Sequence, residues 1–295
     1  WADATGTTWR DWWRTDEGAD DVRYVQFMGK DNVAFHTVSF PATILGSGEP
    51  WKTVDTLKAF NWLNWYGGKF STSQKRGVFM DQALELLPAD YWRWHLTAYG
   101  PEHSDAAFTW EQFQSTTNKD LADVLGNFVN RIVKFAESKF DGVVPEAGEP
   151  GPLEAKLEAD LRAGIAEATA WFEAMEFRKA AVALRAVWVL GNEYLQEAAP
   201  WTAFKTDVDR AAVGVRTGLN LVALFARLAA PVMPHSAVKI GAAVGATDLS
   251  WPTADEPLLD ALPRGQTVAA AGVLFTKIED AQVAEWSERF GGADA

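Results

Sequence analysis

The pattern of apolar and polar positions divides the chain into two parts that meet near residue 104. In the first part, residues 22–27 alternate and are rich in β-formers, and residues 57–66 carry a second such run. Residues 32–45 between these runs have the spacing of a helix. This order of elements is typical of α/β folds. We therefore predict an α/β region over residues 1–103.

The second part, residues 104–295, has helical periodicity in one segment after another. Gly and Pro separate the apolar stripes, and no strand is needed to account for the pattern. Successive helices with short connections pack as antiparallel neighbours, so this part predicts an all-α antiparallel helix bundle. The predicted helices span residues 108–140, 153–172, 177–198, 207–229 and 234–244.

Two shorter predicted helices lie before this boundary. Residues 80–87 end at a proline, and a second helix begins at Ala89 with dense aromatic residues. We interpret these aromatics as the joint between the two parts, and base stacking by Trp92 or Trp94 is the alternative. Residues 100–105 have a turn-forming composition and predict a linker.

Aromatic residues also crowd the start of the chain. Trp9, Trp12 and Trp13 have helical spacing, which predicts a short helix docked against a core. At the other end, residues 250–295 mix turn formers with one apolar run, and no chemistry is evident there.

Composition limits the class of protein. With 295 residues, 48% of them hydrophobic, the chain can form two domains with cores of their own. A net charge of −13 argues against a basic coat over the whole surface but allows a local RNA-binding patch. The absence of cysteine excludes disulfides and cysteine-bound zinc, and it is compatible with the cytoplasmic location that we expect.

Neither a membrane-length apolar run nor a signal peptide is evident in the sequence, so we expect no membrane association. The chain begins with Trp1 and not with methionine, which predicts a fragment of a longer protein. We expect that protein to be a monomer.

The densest candidate chemistry lies in residues 67–77. Glycines let backbone amides approach a ligand, hydroxyl side chains can donate hydrogen bonds, and Lys69, Lys75 and Arg76 supply positive charge. The segment follows the second predicted strand and precedes a predicted helix. An anion-binding loop and an ordinary polar hairpin both fit this composition, and the spacing is not that of a P-loop.

Two further pairs lie in the α/β region. Lys30 and Asp31 follow the first predicted strand, where ligands of open α/β sheets bind, and helix capping by Asp31 is the alternative. His36 and Phe40 are four residues apart on one helix face and can point into one cavity. A single histidine beside aromatic residues is, however, more often part of a core.

Asn127 and Arg131 form a similar pair in the helical region. Their four-residue spacing places an amide and a guanidinium side by side on one helix face. This combination suits recognition of unstacked bases. Contact with a neighbouring helix is the alternative.

Several segments, taken in chain order, resemble methionyl-tRNA synthetases, which are class I aminoacyl-tRNA synthetases. Lys69-Phe70-Ser71-Thr72-Ser73 resembles the Lys-Met-Ser-Lys-Ser loop of that class. The family's Gly-Lys-Asp-x-x-x-Phe-His segment is similar to Phe27-Met28-Gly29-Lys30-Asp31-Asn32-Val33-Ala34-Phe35-His36-Thr37. Its anticodon-reading helix is similar to Leu125-Gly126-Asn127-Phe128-Val129-Asn130-Arg131, and a second anticodon contact is similar to Ala199-Pro200-Trp201. The family's His-x-Gly-His signature and zinc-bearing insertion have no counterpart here.

The resemblance implies a domain organisation. Residues 1–103 would be the C-terminal part of a Rossmann-like catalytic domain, including the loop at residues 69–73 and a stem-contact region. Residues 104–295 would be a helical anticodon-binding domain whose tail folds back toward the catalytic domain.

The resemblance also implies roles for the loop. Lys69, Ser71, Ser73 and Lys75 would act on the triphosphate of ATP during adenylate formation. Thr72 occupies the place of the family's second loop lysine and cannot supply its charge. We expect Lys75 to compensate, and Lys69 acting with helix and backbone dipoles is the alternative.

Further roles are implied outside the loop. Asp31 would contact the adenosine ribose, and the charge of the neighbouring Lys30 suits contact with a phosphate. Asn61 and Leu63 would contact adenine, and His36 and Phe40 would contact the methionine side chain. Asn127 and Arg131 would contact the anticodon, and Trp201 would stack on one of its bases.

The implied activity is that of a methionine–tRNA ligase. ATP with Mg²⁺ would activate methionine to methionyl-adenylate, and the methionyl group would pass to tRNA(Met), whose CAU anticodon is recognised. We expect these 295 residues alone to be inactive and to bind no zinc. The alternatives are another class I synthetase, for leucine, valine, isoleucine or cysteine, and a non-catalytic tRNA-binding module derived from a synthetase.

Overall fold

The computed structural model describes residues 1–291, which divide into two compact units. The first unit comprises residues 1–64 and 101–107, and the second comprises residues 65–100 together with the chain from Phe108 onward. We predicted one boundary near residue 104, but the chain passes between the units at three places. Residues 100–105 were predicted to be a linker, yet residues 101–107 belong to the first unit. The amide of Asn61 donates to the Pro101 carbonyl there, at 2.8 Å.

The first unit contains a parallel pair of strands, as the pattern predicts. Val25 lies opposite Thr56, and Gly29 lies opposite Phe60. The predicted helix between the strands is divided into a 3-10 turn, a π-helical turn and an α-helix. The elements are α1 (Ala2–Thr5), α2 (Arg10–Trp13), β1 (Val25–Gly29), α3 (Phe40–Gly46) and β2 (Thr56–Phe60), with 3-10 turns Thr15–Glu17, Ala19–Asp21 and Lys30–Asn32 and the π-helical turn Phe35–Ser39.

The second predicted strand is also interrupted. β2 ends at Phe60, and the chain forms a separate short strand, β3 (Leu63–Trp65), that pairs with β4 (Ala106–Phe108). The unit boundary passes through both of these strands. The strand β4 was not predicted, because its three residues are too few to produce a periodic pattern.

The prediction that the first tryptophans dock against a core is wrong. Trp9, Trp12 and Trp13 are 51%, 37% and 41% exposed, although the short helix itself is present. They contact single aromatic partners: Trp9 stacks on Trp51, and Trp13 meets Tyr24 edge-on. Pairwise contacts of this kind leave much of each indole in water.

The second unit is a helix bundle, as predicted. The π-helical segment Thr117–Gly126 joins α6 to α7 without a break, so the predicted helix of residues 108–140 is nearly continuous. The helices are α4 (Met80–Leu86), α5 (Ala89–Tyr99), α6 (Trp110–Thr116), α7 (Asn127–Lys139), α8 (Pro152–Glu173), α9 (Phe177–Ala198), α10 (Pro200–Ala203), α11 (Val208–Ala229), α12 (Pro234–Ala243) and α13 (Asp280–Phe290).

Helix α11 is the centre of this bundle. We expected no apolar segment of membrane length, but the 22 residues of α11 have the length and hydropathy of a membrane span. Of its most apolar window, 94% is buried inside the protein. A helix that is largely apolar and covered by its neighbours is the core helix of a bundle.

The segment between α7 and α8 is ordered by one buried arginine. Arg216 of α11 is 3% exposed and donates to the carbonyls of four successive residues, at 2.8 to 3.3 Å. These residues are Pro145, Glu146, Ala147 and Gly148. Burial lowers the pKa of Arg216 from its usual value. The backbone carbonyls satisfy the donors of the guanidinium and thereby fix a segment rich in Gly and Pro.

A buried ion pair links α8 to α11. Arg210 donates two hydrogen bonds to the Glu154 carboxylate, at 2.7 and 3.0 Å, and the Tyr194 hydroxyl donates a third at 2.6 Å. Glu154 is 3% exposed. Burial alone would raise the pKa of Glu154, but these hydrogen bonds outweigh it and hold the pKa below its usual range.

We predict that Glu154→Gln lowers the free energy of unfolding at pH 7 by about 3 kcal/mol, because Arg210 loses its buried partner. The pKa of Glu154 is lower in the folded than in the unfolded protein, so its stabilisation is present above the unfolded pKa and is lost as the pH falls. The deficit of the variant should therefore shrink below about pH 4.5. Urea unfolding at pH 7 and pH 4 measures it, with Glu193→Gln on exposed surface as the control. A deficit that grows on acidification would contradict the prediction.

Candidate functional site

The carboxyl edge of the β1–β2 pair brings several candidate residues together. Because Gly29 lies opposite Phe60, the residues that follow these two positions leave the sheet side by side. The ammonium group of Lys30 accordingly lies 4.8 Å from the centre of the Trp62 ring. This edge is where ligands bind in open α/β sheets.

Asp105 joins the two chain segments at this edge. Its Oδ1 accepts from the Lys30 ammonium, at 2.5 Å, and from the Trp62 amide, at 3.0 Å. These hydrogen bonds, that of Lys30 first, hold the pKa of Asp105 below its usual range. Sequence reasoning missed Asp105 because it lies in a segment with linker composition. The charge of Lys30 is therefore engaged by a carboxylate.

Asp31 lies next to this edge with its carboxylate exposed. It caps no helix, since neither the 3-10 turn that contains it nor the π-helical turn after it has a side-chain cap. The amide of Asn61 is occupied by Pro101, and its side chain donates to the Glu102 carbonyl at 3.3 Å. Leu63 is half-buried in β3. Of these three residues, Asp31 is the one with an exposed side chain.

His36 and Phe40 lie in successive turns beyond this edge. Nδ1 of His36 is 3.1 Å from Oε1 of Gln26, an arrangement in which a protonated Nδ1 donates. Gln26 in turn donates to the Tyr24 hydroxyl at 2.5 Å. Phe40 is 46% exposed. His36 is thus half-buried and held by β1, while nearly half of Phe40 is open to solvent.

The segment of residues 67–77 belongs to the second unit and forms a tight hairpin between β3 and α4. The amides of Ser71 and Arg76 donate to each other's carbonyls, at 2.9 and 2.8 Å. Inside this turn, the hydroxyl groups of Ser71 and Ser73 lie 3.2 Å apart. The structure therefore brings the two predicted serines together.

Phe70 anchors the hairpin to the bundle. Its ring lies edge-on to Trp65, with centres 5.6 Å apart, and to Phe79, at 6.1 Å. Gly77 closes the hairpin with φ of 102°, and a Cβ at this position would overlap the Phe70 ring. The residue between Lys69 and Ser71 thus has a packing role, while the side chain of Lys69 is exposed.

Lys75 occupies an unusual backbone conformation in the turn. Its φ is 52°, in the left-handed region that a residue with a side chain seldom adopts, and its amide donates to the Thr72 carbonyl at 3.2 Å. Thr72, Ser73 and Lys75 are all exposed. Strained positions of this kind cluster at ligand-binding sites.

A second candidate surface lies on α7 and α10. Asn127 and Arg131 are exposed on successive turns of α7. The Arg131 guanidinium carbon lies 4.6 Å from the centre of the Trp201 ring, and Trp201 is half-buried in α10. Ala199, with φ of 39°, turns the chain sharply between α9 and α10. Residues 70 positions apart in the sequence therefore meet on an accessible surface.

Two further aromatic residues support this surface, and sequence reasoning missed both. Phe135, one turn beyond Arg131, meets both Trp201 and Phe204 edge-on, at 6.3 and 6.0 Å. The aromatic residues of α7 and α10 are visible in the sequence, but nothing in the sequence indicates that the two helices pack together. Asp123 forms an ion pair with Lys277 at 2.7 Å. Its carboxylate is therefore already engaged.

Two family models match successive parts of the chain. Residues 1–133 match the family described as tRNA synthetases class I (M), and residues 144–295 match the anticodon binding domain of methionyl tRNA ligase. The fold and these matches define a class I tRNA synthetase. More narrowly, the chain belongs to the methionyl-tRNA synthetase family.

Individual relatives are similar over the whole chain. The methionine–tRNA ligase of Caulobacter sp. strain K31 is 69% identical, over 100% of this chain and 52% of that protein. The methionine–tRNA ligase of Maricaulis maris is 68% identical, over 99% of this chain and 52% of that protein. A crystal structure of Mycobacterium tuberculosis methionyl-tRNA synthetase bound by methionyl-adenylate has a TM-score of 0.78 and 25% identity, over 88% of this chain and 51% of that one. The chain spans about half the length of the relatives it matches.

We predict that Gly77→Ala opens the hairpin, because the new Cβ meets Phe70 and the φ is strained. The free energy of unfolding should fall by about 1–3 kcal/mol, and trypsin should cleave faster after Lys75 and Arg76. Gly272→Ala is the control, since Gly272 has φ of 76° and nothing within 4 Å of its Cβ position. Equal effects of the two substitutions on tryptic cleavage would contradict a packing role for Gly77.

Proposed function

We propose that the protein containing this chain is a methionine–tRNA ligase that activates methionine with ATP and transfers it to tRNA(Met). The observation that carries the proposal is the meeting of Arg131 with Trp201, beside Asn127, in a chain that matches the methionyl anticodon domain. An aromatic face offers stacking to an unpaired base, and the amide and guanidinium offer donors to base edges.

The proposed anticodon contacts follow from this geometry. Among residues 1–291, no hydrogen bond or ion pair engages the Arg131 guanidinium, so its donors remain available to a base while one face covers Trp201. Trp201 stacks on a second base of the CAU anticodon, and Asn127 hydrogen-bonds to an edge. Aromatic contacts from Phe135 keep the Trp201 ring in place.

The proposed catalytic contacts are to ATP. Lys69, Lys75 and the hydroxyl groups of Ser71 and Ser73 bind the triphosphate, and their hydrogen bonds stabilise the charge that builds up as pyrophosphate leaves. Asp31 accepts from the ribose hydroxyls. Positioning and charge account for catalysis of this kind, with no protein nucleophile. Magnesium enters as part of the ATP complex, and we assign no residue to hold it.

Weaker roles remain for the other implied residues. Lys30 reaches a phosphate only by exchanging Asp105 for it, and Asn61 and Leu63 offer backbone contacts to adenine. His36 and Phe40 line the pocket for the methionine side chain. We retain residues 1–103 as the catalytic part and residues 104–295 as the anticodon-binding part, in a monomeric cytoplasmic enzyme. The methionyl-adenylate in the M. tuberculosis structure supports the proposed intermediate.

We predict that the full-length protein catalyses methionine-dependent exchange of pyrophosphate into ATP, and that these 295 residues alone do so at a negligible rate. The reason is that the matched relatives are about twice as long as this chain. The assay compares both proteins with methionine and with leucine. Absence of exchange by a folded full-length protein that still binds tRNA would instead indicate a non-catalytic tRNA-binding module.

We predict that Trp201→Ala weakens binding of a CAU anticodon stem-loop to the full-length protein by about 10- to 100-fold, because one stacked base contributes roughly 1–3 kcal/mol. Trp171→Ala is a matched control, since Trp171 is also a helix-surface tryptophan covered by a cation, Lys179, at 4.3 Å. Fluorescence anisotropy measures the dissociation constants. Equal losses in the two variants, or equal binding of a stem-loop with an altered anticodon, would contradict the assignment.

A further inference from the structure

A cleft of about 350 Å³ separates the hairpin from helix α13. Two of its lining residues are basic and none is acidic, although the chain as a whole has a net charge of −13. The cleft is wide enough for a phosphate group. Its lining residues are Thr72, Lys75, Gly77, Phe79, Gln82, Arg289 and Phe290.

The wall of the cleft formed by α13 is fixed to the core. Trp286 and Phe290 pack on the fully buried Trp110, with ring centres 4.9 and 5.9 Å away. The Phe290 carbonyl accepts a hydrogen bond from the amide of Gly77, at 2.9 Å. The end of α13 is therefore tied directly to the closing residue of the hairpin.

Both cations of the cleft are available to an anion. In the described part of the chain, the ammonium group of Lys75 has no hydrogen-bond or ion-pair partner, and its side chain is exposed and lines the cleft. Arg289 is paired with Glu85 at 3.8 Å, where the two side chains are 47% and 69% exposed. An exposed pair at this distance contributes little and is readily exchanged for a better acceptor.

We propose that this cleft is a phosphate-binding site in which Arg289 and Lys75 bind one phosphate group together. The inference rests on the proposed function, because it supplies a cation to the hairpin at the point where Thr72 provides none. A guanidinium can hold a phosphate through two parallel hydrogen bonds, while the ammonium acts as a point charge. The Thr72 hydroxyl adds a neutral donor.

A phosphate of this kind has two sources, the ATP triphosphate and the backbone of the bound tRNA. The chemistry of recognition is the same for both. The kinetic constants separate them, because the exchange reaction contains ATP without tRNA, whereas charging requires both substrates.

The test uses the full-length protein with Arg289→Ala, Lys75→Ala and Glu85→Gln, and Arg264→Ala as the control on exposed surface. Inorganic tripolyphosphate is the direct probe, and calorimetry measures its dissociation constant. We expect this constant to rise about tenfold in each of the first two variants, since each removes a charge-assisted contact. We expect it to fall about twofold in Glu85→Gln, because the competing carboxylate is removed.

The source of the phosphate follows from steady-state kinetics of the same variants. A higher KM for ATP in the exchange reaction assigns the site to the nucleotide, and a higher KM for tRNA in charging, with the ATP value unchanged, assigns it to RNA. Both outcomes support the site. Tripolyphosphate binding by Arg289→Ala equal to that of Arg264→Ala overturns it.

The site and the proposed function fail in distinguishable ways. A wild-type protein that shows no methionine-dependent exchange, but loses tripolyphosphate affinity on Arg289→Ala, would retain the phosphate site and refute the ligase. A normal exchange rate together with unchanged affinity in the variant would refute the site alone. Thermal unfolding of each variant separates loss of binding from loss of folding.

Discussion

The packing around Trp110 is the interaction on which the second unit depends. This side chain is fully buried at the start of α6 and contacts aromatic residues from four other elements. Aromatic pairs at these distances stabilise beyond the area that they bury. The indole Nε1 has no hydrogen-bond partner among the described residues, so the packing outweighs the cost of one unsatisfied donor. The ring contacts are Trp65 of β3, Trp92 of α5, Phe108 of β4, Phe113 of α6, and Trp286 and Phe290 of α13.

The same helix that begins at this cluster carries the proposed anticodon residues. From Trp110 the chain runs through α6 and the π-helical segment into α7, where Arg131 is exposed. The tail follows the same path in reverse, since Phe275 lies against Gly126 and Asn118 exchanges two hydrogen bonds with the backbone of Ile278. The hairpin and the anticodon surface are thus positioned by one continuous helix and by the tail segment that packs along it. The continuous helix from α6 to α7 and the tail segment packed along it together hold the two candidate surfaces in place within this unit.

The elements with strong periodicity could be predicted from the sequence. The predictions failed where contacts between distant residues determine the structure. The bundle helices follow from their apolar stripes, and α11 differs from α8 and α9, which have the same length, in its hydropathy. Helix α13 was missed although Val283, Trp286 and Phe290 have helical spacing, because the turn formers before it hid the pattern. The hairpin residues were identified from composition and resemblance, but the roles of Asp105 and Arg289 depend on partners more than 70 and 200 residues away. No local pattern encodes such contacts.

The cations differ in whether a carboxylate holds them. Arg185, Arg210 and Arg227 are each held by a carboxylate within 2.7 Å, so removing the acid would leave a charge with no partner. Arg131 lies over the Trp201 ring, and Lys75 has a strained backbone conformation. The side chains of both residues are exposed. By the same criterion Lys30, held by Asp105, belongs with the first three cations. The net charge of −13 does not decide the field at these two surfaces, because the local arrangement of charges and not the total charge acts on a ligand.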